Sequence, residues 1–578
     1  MTVTPPGAAR GASATSYGRP VPGPITNKVL QRNVLIAVCT ALMAVIASVS
    51  GLNVAQQNLA IDLGASQNAI LWIINGYTVA LAGLLMPMGA IGDRWGRKPV
   101  LLAGLVVFGI ASLGAGLATT TAMMVAARVL AGVGAAMIMP VTLSVITSTF
   151  PEEQRSQAIG IWAGVAGSGG LVGLFASSFM VDVLTWRWLF AVPIVLVAFS
   201  AFMTKRYVPN SADGSDHRFD VGGSLLSMLA IGSLIMGIHE GPERGWTDPI
   251  TLAGLGIGLA ALIGFIVWER RQDEPLLDIS VFKNRGLSTG AVTLMIMFAV
   301  MFGIFLVLFP FFQAVIGWSA LHSAVALLPM ALVMMPSSAA LAPRVSKAIG
   351  SRNTMLVGTS ISAAGLITVA LRASVEGGYM SVLPGLLLLG LGNGLAMTPS
   401  TEAITESLPS EKQGVASALN DTTRELGGAI GVALLGSILS SGYRSAIQPA
   451  LEGVPRQLAE AASDGIGSAF AVAPSAGENA PAILDAAKHA FVEGWVQSMW
   501  IGAAMLGIAI INLAVRGQRR QVEPDTASAA TPAVTKTAAV GQVRHLAASQ
   551  CHTLPRADDP AAHHHHRHPR PATHPRCP

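Results

Sequence analysis

Residues 89–98 read Gly89-Ala90-Ile91-Gly92-Asp93-Arg94-Trp95-Gly96-Arg97-Lys98, three glycines, one acid and three bases set between apolar runs at 70–91 and 99–118. Each run is long enough to cross roughly 30 Å of hydrocarbon as a helix, so the decapeptide reads as the turn between two membrane spans. A tight two-helix turn needs glycine for close approach and for positive φ. Asp93 is placed to cap the helix that follows, while Arg94, Arg97 and Lys98 are expected to face water and lipid head groups. A basic turn that only sets topology explains the cations but not the spacing of glycine and aspartate.

Outward from this turn, twelve further apolar runs bring the total to fourteen, at 33–53, 70–91, 99–118, 122–148, 157–180, 187–204, 221–239, 250–268, 288–312, 322–342, 354–371, 380–402, 415–438 and 495–515. The chain of 578 residues is 52% hydrophobic and only 12% charged, against roughly 25% charged in a soluble domain. Its mean hydropathy is +0.57. These values describe an all-α polytopic membrane protein. Lys and Arg number 22 in the loops shared with the two termini, counting 1–32 and the start of the tail, and six in the opposite loops (Arg187, Arg244, Arg372, Arg444, Arg456 and Lys488). That imbalance places both termini in the cytoplasm. Cys39, Cys551 and Cys577 form neither a disulfide framework nor a zinc spacing. No phosphate-cradling, zincin or nucleophile-elbow motif occurs. An enzyme, an ATP-driven motor, a cofactor and a nucleic-acid partner are therefore not expected.

The chain echoes itself. Gly96-Arg97-Lys98 and Gly104 return 254 residues later at Gly350-Ser351-Arg352 and Gly358, and Pro151, Glu153, Ala158 and Gly169-Gly170 return after 258 at Pro409, Glu411, Ala416 and Gly427-Gly428. Two similar offsets at equivalent turns predict two six-helix halves, 33–204 and 287–515, with two linker helices inserted over 205–286, a layout that puts a binding site between the halves. Residues 1–32 and 516–578 read as disordered cytoplasmic ends, the latter with a His-rich tract (His563–His566) more readily explained as polar tail than as metal site. The segment 442–493 reads as an outer loop with an amphipathic helix on the surface at 480–494.

The decapeptide resembles the loop signature of the major facilitator superfamily. Further stretches are similar to its fourteen-span drug:proton antiporter family: Leu71-Trp72-Ile73-Ile74-Asn75-Gly76-Tyr77, Ala127-Arg128 through Ala136, Glu240-Gly241-Pro242-Glu243-Arg244-Gly245-Trp246, and Asn420-Asp421-Thr422-Thr423-Arg424-Glu425. The resemblance runs from about residue 33 to 515. It implies a multidrug or antiseptic exporter of a bacterial plasma membrane, monomeric and lipid-embedded, that takes an amphipathic small molecule and protons as partners. It also implies that Gly89, Asp93, Arg94, Gly96, Arg97 and Lys98 form a conformational latch.

Arg128 lies inside the fourth run, where a charge costs roughly 2.5–3.5 kcal/mol and is seldom left without a partner. Backbone carbonyls could hold it for structure alone; the resemblance ties it to proton coupling. In the thirteenth run Asp421, Arg424 and Glu425 are three and four residues apart and share a helix face. Burial and a neighbouring guanidinium act in opposite senses on a carboxyl's proton, so this group suits either a proton-binding switch or a fixed ion pair. Trp72, Asn75 and Tyr77, with Phe311, Phe312 and Gln313, offer rings and amides to a flat amphiphile, or anchor span ends in the interface. Gly164, Gly167, Gly169 and Gly173 let helices approach closely.

The chain also departs from the family pattern. Many members carry an aspartate at the position of Ser48 and a Leu-Pro pair at Gln56-Gln57; cation exporters often carry aspartate at Asn75. Gly173 is followed by Leu174 rather than proline, and the later glycine pair is Ser177-Ser178. Two carboxylates that would hold a cation are thus neutral. Uncoupled transport of a lipid or neutral metabolite, and a non-transporting sensor or scaffold, stay open as alternatives.

Overall fold

The computed structural model describes residues 25–65, 67–211 and 219–517. The expectations for 1–24 and for the His-rich tail lie outside the described residues. Apolar side chains all round a helix are tolerated only where lipid or other helices cover them, and a backbone in hydrocarbon must satisfy its own hydrogen bonds. The described residues accordingly form helices and no strands. Spans 1 to 9 lie in the helices Lys28–Leu63, Gln67–Trp95, Arg97–Gly116, Thr121–Thr149, Glu152–Val183, Ala191–Tyr207, Val221–Arg244, Pro249–Glu269 and Arg285–Pro310. Span 10 runs through Ala320–Ala326, Leu328–Pro336 and Ala342–Ile349, and spans 11 to 14 are Ser351–Arg372, Gly378–Thr405, Gln413–Ile447 and Ala480–Arg516. Fourteen helical segments among the described residues are long and apolar enough to cross a membrane.

Side-chain caps set several starts: Thr120 accepts the Met123 N–H, Asp220 that of Gly223, Asp248 that of Ile250, and Ser319 that of His322. Two prolines open π-helical turns, Pro310 before Phe311–Val315 and Pro336 before Ser337–Leu341. The second turn matters below, because it presents Ser338 to span 5.

Span 1 packs on spans 5 and 6, span 2 on span 4, and span 3 on spans 4 and 6. Correspondingly, span 9 packs on spans 12, 13 and 14, and span 11 on spans 12 and 14. The repeat is visible in backbone geometry: Gly96 and Gly350 both turn the chain at positive φ, +106° and +86°, as N-caps of spans 3 and 11. Span 7 joins the assembly through spans 2 and 13 and carries span 8 on its far side. The halves meet where spans 2 and 4 touch span 13 and where span 5 touches spans 10 and 12.

One face holds the start of span 1 and the end of span 14, tied down by Ile25 N–H to the Thr149 carbonyl and Arg352 to the Leu513 and Ala514 carbonyls; it is called the terminal face. On the opposite face the outer segment is shorter than expected. Span 13 continues to Ile447, and 480–494 is not a separate surface helix but the first four turns of the helix that becomes span 14. Its residues Ile483 and Ala487 are buried, as are Ile466 and Ala469 of the short helix Ile466–Val472 that contacts it, while the Tyr443 hydroxyl donates to the Ala462 carbonyl at 2.9 Å.

Candidate functional site

The decapeptide sits on the terminal face, and its aspartate reaches across the molecule. Asp93 does not cap span 3, whose N-cap Gly96 has no side-chain partner. Its carboxylate instead accepts the Gly414 N–H at 2.8 and 2.7 Å and the Val415 N–H at 3.1 Å, capping span 13 of the other half. The first N–H groups of a helix have no partner within it and carry partial positive charge, so a carboxylate there is doubly favoured. Arg97 is buried rather than facing water. It pairs with Asp93 at 2.9 Å and donates to the Ser410 carbonyl at 3.2 Å and to Ser211 Oγ at 3.4 Å. Lys98 binds the Lys205 carbonyl at 2.9 Å, and Arg94 is exposed. Gly89 makes room for the contact: a Cβ there would lie 2.8 Å from that of Ala418.

A second seam closes beside it. Ser338, in the turn behind Pro336, donates to the Gly160 carbonyl and shares a hydrogen bond with Thr398, both at 2.9 Å. Along span 5 the glycines divide their work. Gly167 faces Met334 of span 10 and Gly164 faces Met335, whereas Gly169 faces Met43 and Gly173 faces Ala47 of span 1, where an added Cβ would lie 2.7 Å from the Ala47 Cα. Glu402, a buried carboxyl that sequence reading passed over, stands at this end of span 12 beside Ser156 of span 5, with Oε1 unpartnered. The signal for it was an acid closing the apolar run 380–402.

Two turns further into span 13, Asp421 is fully buried and Arg424 pairs with it at 3.1 Å. The guanidinium is held between two aromatic faces from opposite halves, Phe298 of span 9 at 4.6 Å and Trp162 of span 5 at 5.3 Å. Asp421 Oδ2 has no hydrogen-bond partner. Glu425, one turn on, makes no hydrogen bond or ion pair among the described residues and lies in electrostatic range of Arg424, Asp421 and Tyr77. The three residues expected on one face thus separate into a clamped pair and an acid that shares its field without a bond to it.

Arg128 gains the partners that sequence could not name. Its Nη1 donates to Ser48 Oγ at 3.0 Å and its Nε to the Ile73 carbonyl at 3.2 Å, while the guanidinium lies 4.4 Å over the Tyr77 ring. Nearer the opposite face, Trp72 and Asn75 line a narrow cleft with Val79, Met236, His239 and Glu240. Asn75 Oδ1 meets His239 Nδ1 at 2.9 Å, and Glu240 pairs with Arg244. The inserted span 7 therefore supplies polar groups that the sequence reading left unused. Phe311 and Phe312 are fully buried in an aromatic cluster with Trp495, Trp318 and Tyr379, and Gln313 is exposed. They lie apart from Trp72 and Asn75, on the other half. No group of three potential metal ligands occurs among the described residues.

Residues 36–432 match the family profile described as Major Facilitator Superfamily. The chain is 33% identical over 494 residues to the methyl viologen resistance protein SmvA of Salmonella typhimurium, covering 83% of this chain and 96% of that protein. It is 31% identical over 531 residues to the tetracenomycin C resistance and export protein of Streptomyces glaucescens, covering 90% and 95%. Among solved structures, a bacterial homolog of the human lysosomal transporter Spinster superposes with a TM-score of 0.54 at 17% identity over 85% of this chain and 98% of that one. The proton:xylose symporter XylE gives 0.53 at 14% identity over 85% and 97%.

Proposed function

The chain belongs to the Major Facilitator Superfamily, and on that premise we propose that it exports an amphipathic drug, antibiotic or antiseptic across a bacterial plasma membrane, driven by protons flowing inward. It works as a monomer in lipid, with the terminal face cytoplasmic. The relatives named for drug resistance and export support the substrate class, and the charge asymmetry of the loops supports the orientation.

The observation that carries this reading is that one helix bears both the latch and the titratable site: span 13 is gripped by Asp93 at Gly414 and Val415 and carries Asp421, Arg424 and Glu425 along the same rod. A charge change at the second place can therefore bias the first. With the cytoplasmic face open, the Asp93 contact is broken, Glu425 is unprotonated and substrate enters between the halves. Closure forms the contacts described above and opens the far side. Protonation of Glu425 from outside follows release, and the latch parts to return the carrier. Glu425 is the proton carrier in this scheme because it makes no hydrogen bond or ion pair among the described residues, whereas Asp421 is bonded to Arg424. Arg128 is coupled to the proton site through Tyr77, whose ring it overlies and which lies in electrostatic range of Glu425. Trp72 and Asn75 border the outer exit; Phe311, Phe312 and Gln313 stand outside the route.

The test is uptake of a fluorescent amphiphile into everted vesicles that carry the protein. Uptake collapses when nigericin dissipates the pH gradient. Undiminished uptake would instead favour an uncoupled carrier, a second reading to which Ser48, at a position where the family resemblance implies an acid in many members, lends weight.

A further inference from the structure

Arg128 is the one deeply buried guanidinium whose contacts are all neutral among the described residues: a serine hydroxyl, a main-chain carbonyl and a phenol ring. It is only 2% exposed. The other buried bases are compensated, Arg97 by Asp93 and Arg424 by Asp421, each within 3.1 Å. Glu425 shares Tyr77 with Arg128 and forms no ion pair with it. A permanent charge in a low-dielectric interior is stable only with a counter-charge or a full set of hydrogen bonds, and guanidinium has five N–H donors, of which two are engaged by described residues. Three donors remain in the planar fork that matches a carboxylate. Arg128, Ser48 and Tyr77 belong to spans 4, 1 and 2, and spans 2 and 4 are those that meet span 13 across the seam. Arg128 therefore stands on a helix that borders the seam between the halves.

We propose that Arg128 is a docking point for an acidic group of the transported molecule, so that the preferred cargo carries a carboxylate or an equivalent anion. This rests on the export reading above and refines its substrate class. Ser48 is the specificity residue: its hydroxyl orients the guanidinium without neutralising it, and an acid in its place would pair with Arg128 and remove the vacancy for an anion. Because guanidinium stays charged, anion docking requires no proton, and the proton that drives export goes to Glu425.

The test uses two dyes that differ by one ester: rhodamine 110, whose carboxylate is free, and its methyl ester rhodamine 123. Efflux from efflux-deficient cells expressing the full chain is measured for each, divided by the rate in vector-only cells. The acid is expected to leave at least tenfold faster than the ester, and Ser48→Asp is expected to bring the ratio near one while Ser48→Asn preserves it. Dye binding to purified Ser48→Asn and Arg128→Gln proteins, followed by fluorescence anisotropy, keeps the test valid should Ser48→Asp fail to fold; only Arg128→Gln should lose its preference for the acid. Faster export of the ester, or a ratio indifferent to Ser48→Asp and Arg128→Gln, overturns the inference and leaves the export reading standing. Export of neither dye overturns both.

Discussion

The Asp93 carboxylate and the Gly414 amide, 321 residues apart in sequence, are joined at 2.7–2.8 Å, so that an acid in the first half caps a helix of the second. A charged acceptor on a backbone donor contributes roughly 1.5–3 kcal/mol, which is about a ten- to hundredfold bias in a two-state equilibrium. Asp93→Asn should therefore raise the maleimide reactivity of a Cys placed at Lys412 by about tenfold in a background without native cysteines, as the terminal face opens. Gly414→Ala should act similarly without altering any charge, since its Cβ would come 2.7 Å from the Asp93 Cγ. Unchanged labelling in both would sink the latch.

The two acids of span 13 should fail differently. Glu425→Gln is expected to leave the protein stable while export loses its response to the pH gradient. Asp421→Asn strands a buried guanidinium, at a cost of about 3–5 kcal/mol, and should lower the unfolding temperature in detergent well below wild type. Adding Arg424→Met to Asp421→Asn should recover much of that loss. If Asp421→Asn is as stable as the parent, the pair is not the clamp described.

Tyr77 is expected to matter through its ring. Its hydroxyl reaches the Val45 carbonyl only at 3.5 Å, whereas its face lies 4.4 Å from the Arg128 guanidinium, a contact worth about 2 kcal/mol when desolvated. Tyr77→Phe should export within about twofold of wild type and Tyr77→Leu at least tenfold more slowly, measured as initial dye efflux rates. Equal losses would point to the hydroxyl instead.

On span 5, Gly173→Ala should be destabilising by about 1–3 kcal/mol, the usual range for overpacking, because the new methyl meets the Ala47 backbone. Gly164→Ala, with 3.6 Å of clearance to Met335, should be tolerated or slightly stabilising. Thermal unfolding of the two variants side by side decides it.

The spans were legible because lipid imposes one rule on every one of them: about twenty apolar residues with an internally bonded backbone. Fourteen runs and the Gly96/Gly350 echo were thus available from the chain alone. What the chain hid was long-range. Asp93 looked like the cap of its neighbour span 3 because sequence displays only local partners, and its true partners lie on span 13. Arg97 looked solvated for the same reason. The distinction between Asp421 and Glu425 depends on which way a helix face turns toward Phe298 and Trp162, and no spacing rule contains that. Ser48 was noticed as a departure, but its meaning emerged only when Arg128 was found beside it. Phe311 and Phe312 carried the right chemistry for a flat ligand and turned out to be enclosed by other rings.

The lock at the terminal face holds main-chain hydrogens, not side chains. Every amino acid except proline offers the same amide, so at Val415 drift can exchange one side chain for another without touching what Asp93 grips. A deep mutational survey of 413–416 should then show an unusual fingerprint, indifferent to polarity, averse to bulk at Gly414, and intolerant of proline where the amide is gripped. Transporters built this way can diversify the start of this helix while the fastening itself stays fixed.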